Sequence, residues 1–228
     1  MKVGALFAGD VRFQFKYGFY ALYLLFTLLY LFLLMALPES WREQAAILMV
    51  FTDPAAMGLF FMGAIVLLEK SERVLDSLAV SPVLPGDYLL SKLLSLALIS
   101  LLVALAILLL SRAVPVTAQL VLGIVMCSCL FSAMGLLIAS RSSSLNQFMI
   151  STVPVQMIIM LPAIAYLFGW RPTPWLLAHP GVGLMEVALN GPRTGVALLV
   201  LGLWMVVAVA GAYLGVQRTF RVVGGMKL

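Results

Sequence analysis

The 228 residues are 64% hydrophobic and 10% charged, with a mean hydropathy of +1.13, which is more apolar side chain than a water-soluble domain of this size needs. That excludes a soluble globular protein and leaves a chain solvated by lipid, with continuous apolar blocks that indicate helical spans rather than the short alternating strands of a closed barrel. The net charge of +5 is explained by orientation in a membrane, and nucleic acid is not an expected partner.

Residues Met1 to Lys16 read as a helix with Val3, Phe7, Val11 and Phe15 in one stripe and Lys2, Gly9, Arg12 and Lys16 roughly opposite. An apolar stripe beside basic residues describes a helix lying at the headgroups on anionic lipid, with Phe7, Val11, Arg12, Phe15 and Lys16 as its contacts. The plainer alternative is a frayed basic tail that only fixes orientation. Span one is 17–37, too long for a signal-peptide core and followed by no small-residue cleavage site. Pro38-Glu39-Ser40 ends it. Thr52-Asp53-Pro54 interrupts the next apolar stretch, which places Asp53 near the far membrane surface and span two at 54–68, with a start that can extend before Asp53.

The stretch from Leu67 to Leu94 is the one long run between spans that carries both signs of charge: Glu69, Lys70, Glu72, Arg73, Asp76, Asp87 and Lys92. Ionised side chains are costly in hydrocarbon, so this run is expected in water. Its first part, 69–81, has helical spacing, with Val74, Leu75, Leu78 and Ala79 on one side and Lys70, Glu72, Arg73, Asp76 and Ser77 on the other. Ser81-Pro82 stops it, because proline lacks an N–H and disfavours helical geometry in the residue before it.

Spans three to six follow at 88–110, 116–139, 145–169 and 194–216, the fifth containing Pro154 and Pro162. The segment Trp170 to Arg193 holds a short apolar stretch, Pro180 to Leu189, too short to cross. It is expected to dip into the outer interface as a re-entrant or flat element with Trp170 and Trp175 at headgroup depth, either as an external gate or as a lid that packs. The fold class is therefore all-α, a single polytopic membrane domain with six spans.

Ten basic residues fall on the side of the termini: Lys2, Arg12, Lys16, Lys70, Arg73, Lys92, Arg141, Arg218, Arg221 and Lys227. Arg42, Arg112, Arg171 and Arg193 fall on the other. By the positive-inside rule both ends and the Glu69 loop are cytoplasmic in a bacterial inner (plasma) membrane. Ser128, Ser132, Gly135 and Ala139 line one side of span four, and Gly211 and Gly215 are spaced as GxxxG in span six. Such faces serve close helix packing within the chain or a dimer contact.

Chemistry at depth is sparse. There is no HExxH, no GxSxG and one histidine, His179, so no catalytic or metal site is expected. No GxxxxGK[ST] loop is present to bind ATP. Cys127 and Cys129, two apart on a helix, point to different sides and cannot bridge. Phe60, Phe61, Gln156 and Met160 are the candidate pathway side chains in an otherwise low-charge interior. If the protein moves a solute, the energy comes from another chain through the cytoplasmic loop.

The run LLEKSERVLDSLAVSPVLPGDYLLSKLL resembles the region between spans two and three of the type-two permeases of ATP-binding-cassette exporters. Glu72-Arg73, Leu78, Ser81-Pro82 and Lys92 match that pattern; the Gly-Thr pair common after Glu-Arg is here Val74-Leu75. The resemblance implies a permease subunit that dimerises with itself or a paralogue and docks an ATPase subunit, where ATP and Mg would bind. Residues 69–81 would be the coupling helix, with Glu69, Glu72, Arg73, Leu75, Asp76, Leu78, Ser81 and Pro82 as contacts, and the expected cargo is a small amphipathic molecule, drug or lipid. The alternatives are a non-transporting membrane scaffold or assembly factor, and a permease for haem or another cofactor precursor.

Overall fold

A computed structural model describes residues 2–79, 81–170 and 173–223; Arg171, Lys227 and the Val80 end of the charged loop lie outside them. Helix α1, Lys2–Lys16, is followed by a break at Tyr17-Gly18 and then by α2, Phe19–Ala36. Gly18 makes the break with φ of +77°, a conformation that glycine adopts without a Cβ penalty. Among the described residues six runs are long and apolar enough to cross a membrane: Phe19–Ala36, Glu39–Ser71, Pro85–Ser111, Ala118–Arg141, Leu145–Leu167 and Thr194–Arg221.

The second of these runs corrects the expected boundary at Asp53. Helix α3, Glu39–Thr52, passes through a π-turn, Asp53–Gly58, directly into α4, Leu59–Ser71. Pro54 cannot donate to the carbonyl four residues back and would clash with it. The helix widens to the i→i+5 pattern and continues, instead of ending. Asp53 accordingly sits near the middle of the span, 1% exposed, and not at a surface.

Helix α5, Val74–Ala79, is short. It precedes α6, Pro85–Ser111, whose start is capped by the Asp87 carboxylate accepting from the Leu84 amide at 3.3 Å. Helix α7, Ala118–Arg141, is capped by Thr117, whose hydroxyl accepts from Leu120 N at 3.1 Å. It occupies the centre of the bundle, packed on α4, α6 and α10. Helix α8, Leu145–Leu167, runs unbroken through both of its prolines, and α10, Thr194–Val223, closes the chain.

The small-residue faces are used inside the molecule. A Cβ on Gly135 would lie 2.3 Å from the Leu59 carbonyl oxygen, so only glycine lets α7 approach α4 here. Ser128 and Ser132 are fully buried on the same side. Gly211 and Gly215 face Leu137 and Ser140 of α7, so the GxxxG of the last span is an intramolecular contact.

Between α8 and α10 a 3₁₀ turn, Pro174–Ala178, leads into α9, Pro180–Ala188, every residue of which is buried. This helix inserts among α7, α8 and α10. Gly181 lies against the Ile159 carbonyl, two turns inside the end of α8. The element is packed inside the bundle and not laid flat across its end. Trp170 and Trp175 remain exposed at its edge, 57% and 84%.

Candidate functional site

The end of the bundle that carries both termini is built around one lysine. Lys92 lies about two turns into α6 and is 1% exposed. Its ammonium pairs with the Glu69 carboxylate from the last turn of α4 and with Asp10 of α1, the latter at 2.5 Å. Glu69 also accepts from the Tyr88 hydroxyl at 2.6 Å, and Asp10 from the Ser91 hydroxyl at 2.7 Å. One turn farther along both helices, Gln14 donates to Ser95 at 2.8 Å. The Phe13 and Tyr88 rings flank the ammonium, their centroids 5.7 and 5.3 Å away. Three helices distant in sequence are thus tied by a desolvated ion triad with its remaining lone pairs satisfied, the condition under which burying charge is tolerable.

A second clamp is made by Lys70. Its ammonium donates to the carbonyls of Ala139, Ser140 and Ser142 at 2.7, 3.1 and 3.2 Å. These carbonyls lie at the end of α7, where the helix dipole favours a cation. The end of α4 is thereby held to α7 on one side and to α6 and α1 on the other.

From this clamped base the loop projects. Arg73 takes a positive φ of 57°, turning the chain out of α4 before α5 begins. Glu72, Arg73, Asp76, Ser77 and Pro82 are exposed, and Leu78 and Ser81 are half-buried. Tyr17, at the break between α1 and α2, donates to the Glu72 carboxylate, and that contact raises the phenol above its ordinary pKa. Leu75 faces the other way and lines a crevice with Val66, Leu136 and Phe220.

Two of the eight expected docking contacts are therefore corrected. Glu69 and Leu75, 4% exposed each, point into the bundle, because the helical turn beginning at Glu69 belongs to the end of α4 and the separate helix starts only at Val74. Lys92 and Glu69 are likewise not solvated loop charges. On the N-terminal helix Phe7 and Val11 are half-buried, Arg12, Phe15 and Lys16 are exposed, and α1 docks on α6 through Asp10 and Gln14.

The four candidate pathway residues are not brought together. Phe61 is buried edge-on against Phe19 and Tyr23, with centroids 5.3 and 4.8 Å apart, and is core. Phe60 packs on Phe148, while Gln156 and Met160 contact each other on the half-buried side of α8.

Sequence reasoning missed Asp10, Gln14 and Glu186. Asp10 and Gln14 are an i, i+4 pair on one face, and a lone carboxylate in a basic helix opposite a lysine inside an apolar span was the available signal. Glu186 is 2% exposed in α9 and accepts from the Tyr166 hydroxyl and, at 3.0 Å, from Arg193 N. It ties α9 to α8 and to the start of α10. Among the described residues no group of His, Cys, Asp and Glu could hold a metal ion.

Residues 2–220 match the model of the fluoroquinolones export permease protein family. Relatives include the fluoroquinolones export permease proteins of two Mycobacterium tuberculosis strains, CDC 1551 / Oshkosh and ATCC 25618 / H37Rv. Each is 29% identical over 157 residues, 68% of this chain and 66% of the relative, so the chain spans just under two thirds of their length in the match. With six membrane-length helices and a family model covering nearly its whole length, the chain belongs to the fluoroquinolones export permease family.

Proposed function

We propose that this chain is the membrane-spanning subunit of an ATP-driven exporter of small amphipathic, drug-like molecules. It would pair with a second permease copy and be driven through the 72–82 loop by a separate ATPase subunit that binds ATP and Mg. The observation that carries the reading is the contrast within that loop. Glu72, Arg73, Asp76 and Ser77 stand in the open, while the residues on either side of them, Glu69, Lys70 and Lys92, are clamped to α1, α6 and α7. An exposed charged knob on a rigid base is suited to receiving a push and passing it to several spans at once.

Arg141, Arg218 and Arg221 line a groove at the same end, which agrees with a cytoplasmic placement of both termini in a bacterial inner membrane. Relatives named for fluoroquinolone export favour a drug over a cofactor precursor as cargo.

The test uses the permease co-expressed with its co-encoded ATPase and reconstituted in vesicles. Leu78→Asp, and the pair Glu72→Arg with Arg73→Glu, are expected to insert normally yet to lose at least tenfold of the ATP-dependent drug efflux. Wild-type efflux and wild-type ATPase stimulation in both variants would remove the coupling role and leave a passive scaffold.

A further inference from the structure

The middle of the second span holds a carboxyl group that the coupling argument does not use. Asp53 opens the π-turn, is 1% exposed, and accepts from the Ser100 hydroxyl of α6. It has no ion pair among the described residues. The titratable groups facing it are Tyr23 and Tyr30 of α2 and Cys127 of α7, none of them a cation. The charged residues of the elements packed on the π-turn stand toward their ends: Glu39, Arg42 and Glu43 on α3, Glu69 and Lys70 on α4, Asp87 and Lys92 on α6, Arg141 on α7, and none on α8. Lys92 is two turns from Ser100, about 12 Å along the helix, and is already shared by two carboxylates.

An isolated carboxylate here is strongly opposed by its desolvation, whereas a neutral acid with a hydrogen-bond partner is not. A second observation points the same way. The hydroxyls of Tyr23, Ser128 and Ser132 are buried without a hydrogen-bond partner, and the Ser132 hydroxyl lies beside Gly58 of the same π-turn. Each of these hydroxyls can accept from a protonated carboxyl, and none of them carries a positive charge that would hold the carboxylate form. A single carboxylate with one hydroxyl is too few ligands for a metal ion, and π-turns inside helices commonly mark working positions.

We infer that Asp53 is a proton-binding site at the centre of the bundle. It is a neutral acid in this arrangement, and access of water would let it give up its proton and leave the carboxylate. The proton is the ligand, and Ser100 holds the carboxyl that carries it.

The experiment is infrared spectroscopy of the permease alone in lipid nanodiscs at neutral pH, so that it does not depend on any ATPase partner or cargo. The wild-type spectrum minus that of Asp53→Asn is expected to show the carbonyl stretch of one protonated carboxylic acid per chain; Asp10 and Glu186 cancel in the difference. A difference showing only carboxylate bands, or none, overturns the assignment. Ser100→Ala keeps the acid and removes its partner, so it serves if Asp53→Asn does not fold. It should shift that carbonyl band, and an unshifted spectrum again overturns the site.

Discussion

Lys92 shows how one side chain can set the architecture of one end of a membrane protein. Its partners Asp10 and Glu69 are 82 and 23 residues away in sequence, and both carboxylates are sealed from water with it. Removing the cation leaves two like charges buried together, the most costly way to break such a triad, at roughly 3–5 kcal/mol. Lys92→Met should therefore lower the thermal midpoint of the protein in nanodiscs substantially. The triple variant Lys92→Met with Asp10→Asn and Glu69→Gln should recover most of the loss, since neutral amides keep hydrogen bonds to Ser91 and Tyr88. A triple variant no more stable than Lys92→Met would show that the ammonium matters through packing and not through charge. Lys92 was visible in the sequence as a lysine opening an apolar helix, but its burial was not. Loop-like charge density suggested water, and the partner that makes burial tolerable, Asp10, comes from a helix whose other face looked complete.

At the scale of the element, α9 depends on a cap. The His179 imidazole Nδ1 accepts from Gly181 N at 3.2 Å, which requires the ring to be neutral. Half-burial holds its pKa below the ordinary histidine value. A group whose pKa is lowered by folding stabilises the native state above its unfolded pKa and ceases to do so as pH falls, because the unfolded chain then binds the extra proton. The α9 amides are thus expected to lose hydrogen-exchange protection as pH drops below about 6.5, by the ~0.5–2 kcal/mol that a lost N-cap costs. His179→Asn, which caps without titrating, should abolish that pH dependence. Protection that falls equally in both would place the sensitivity elsewhere. That this segment is too short to cross was legible from its length and its Pro/Trp borders. Its complete burial was not, because the glycines that admit it, Gly181 against Ile159 and Gly183 against Ala197, have meaning only once the neighbouring helices are in place. The opposite happened at the π-turn: Pro54 read locally as a boundary, and tertiary packing of the whole 33-residue run overrode it.

For the whole molecule, the number of crossings follows from apolar blocks that no other solvent would accept. Leu24, Leu28, Phe32, Ile150, Met157 and Leu203 are exposed on the outer helices as a lipid-facing surface. Sidedness follows from where arginine and lysine sit, and here the structure sharpens the argument. Lys70 and Lys92 are internal clamps, so orientation is better read from Arg12, Lys16, Arg73, Arg141, Arg218 and Arg221, which are all exposed at the end with the termini. The opposite end offers Arg112 and Arg193 in short connections. If the retained asymmetry orients the chain, a membrane-impermeant maleimide should distinguish the two ends in a background with Cys127→Ala and Cys129→Ala. Trp175→Cys, at the most exposed tryptophan, should label in intact cells. Ser77→Cys, on the projecting loop, should label only in inverted vesicles. The reverse pattern would turn the protein over and leave the charged knob facing away from any cytosolic ATPase, and with it the drive proposed for transport would be lost.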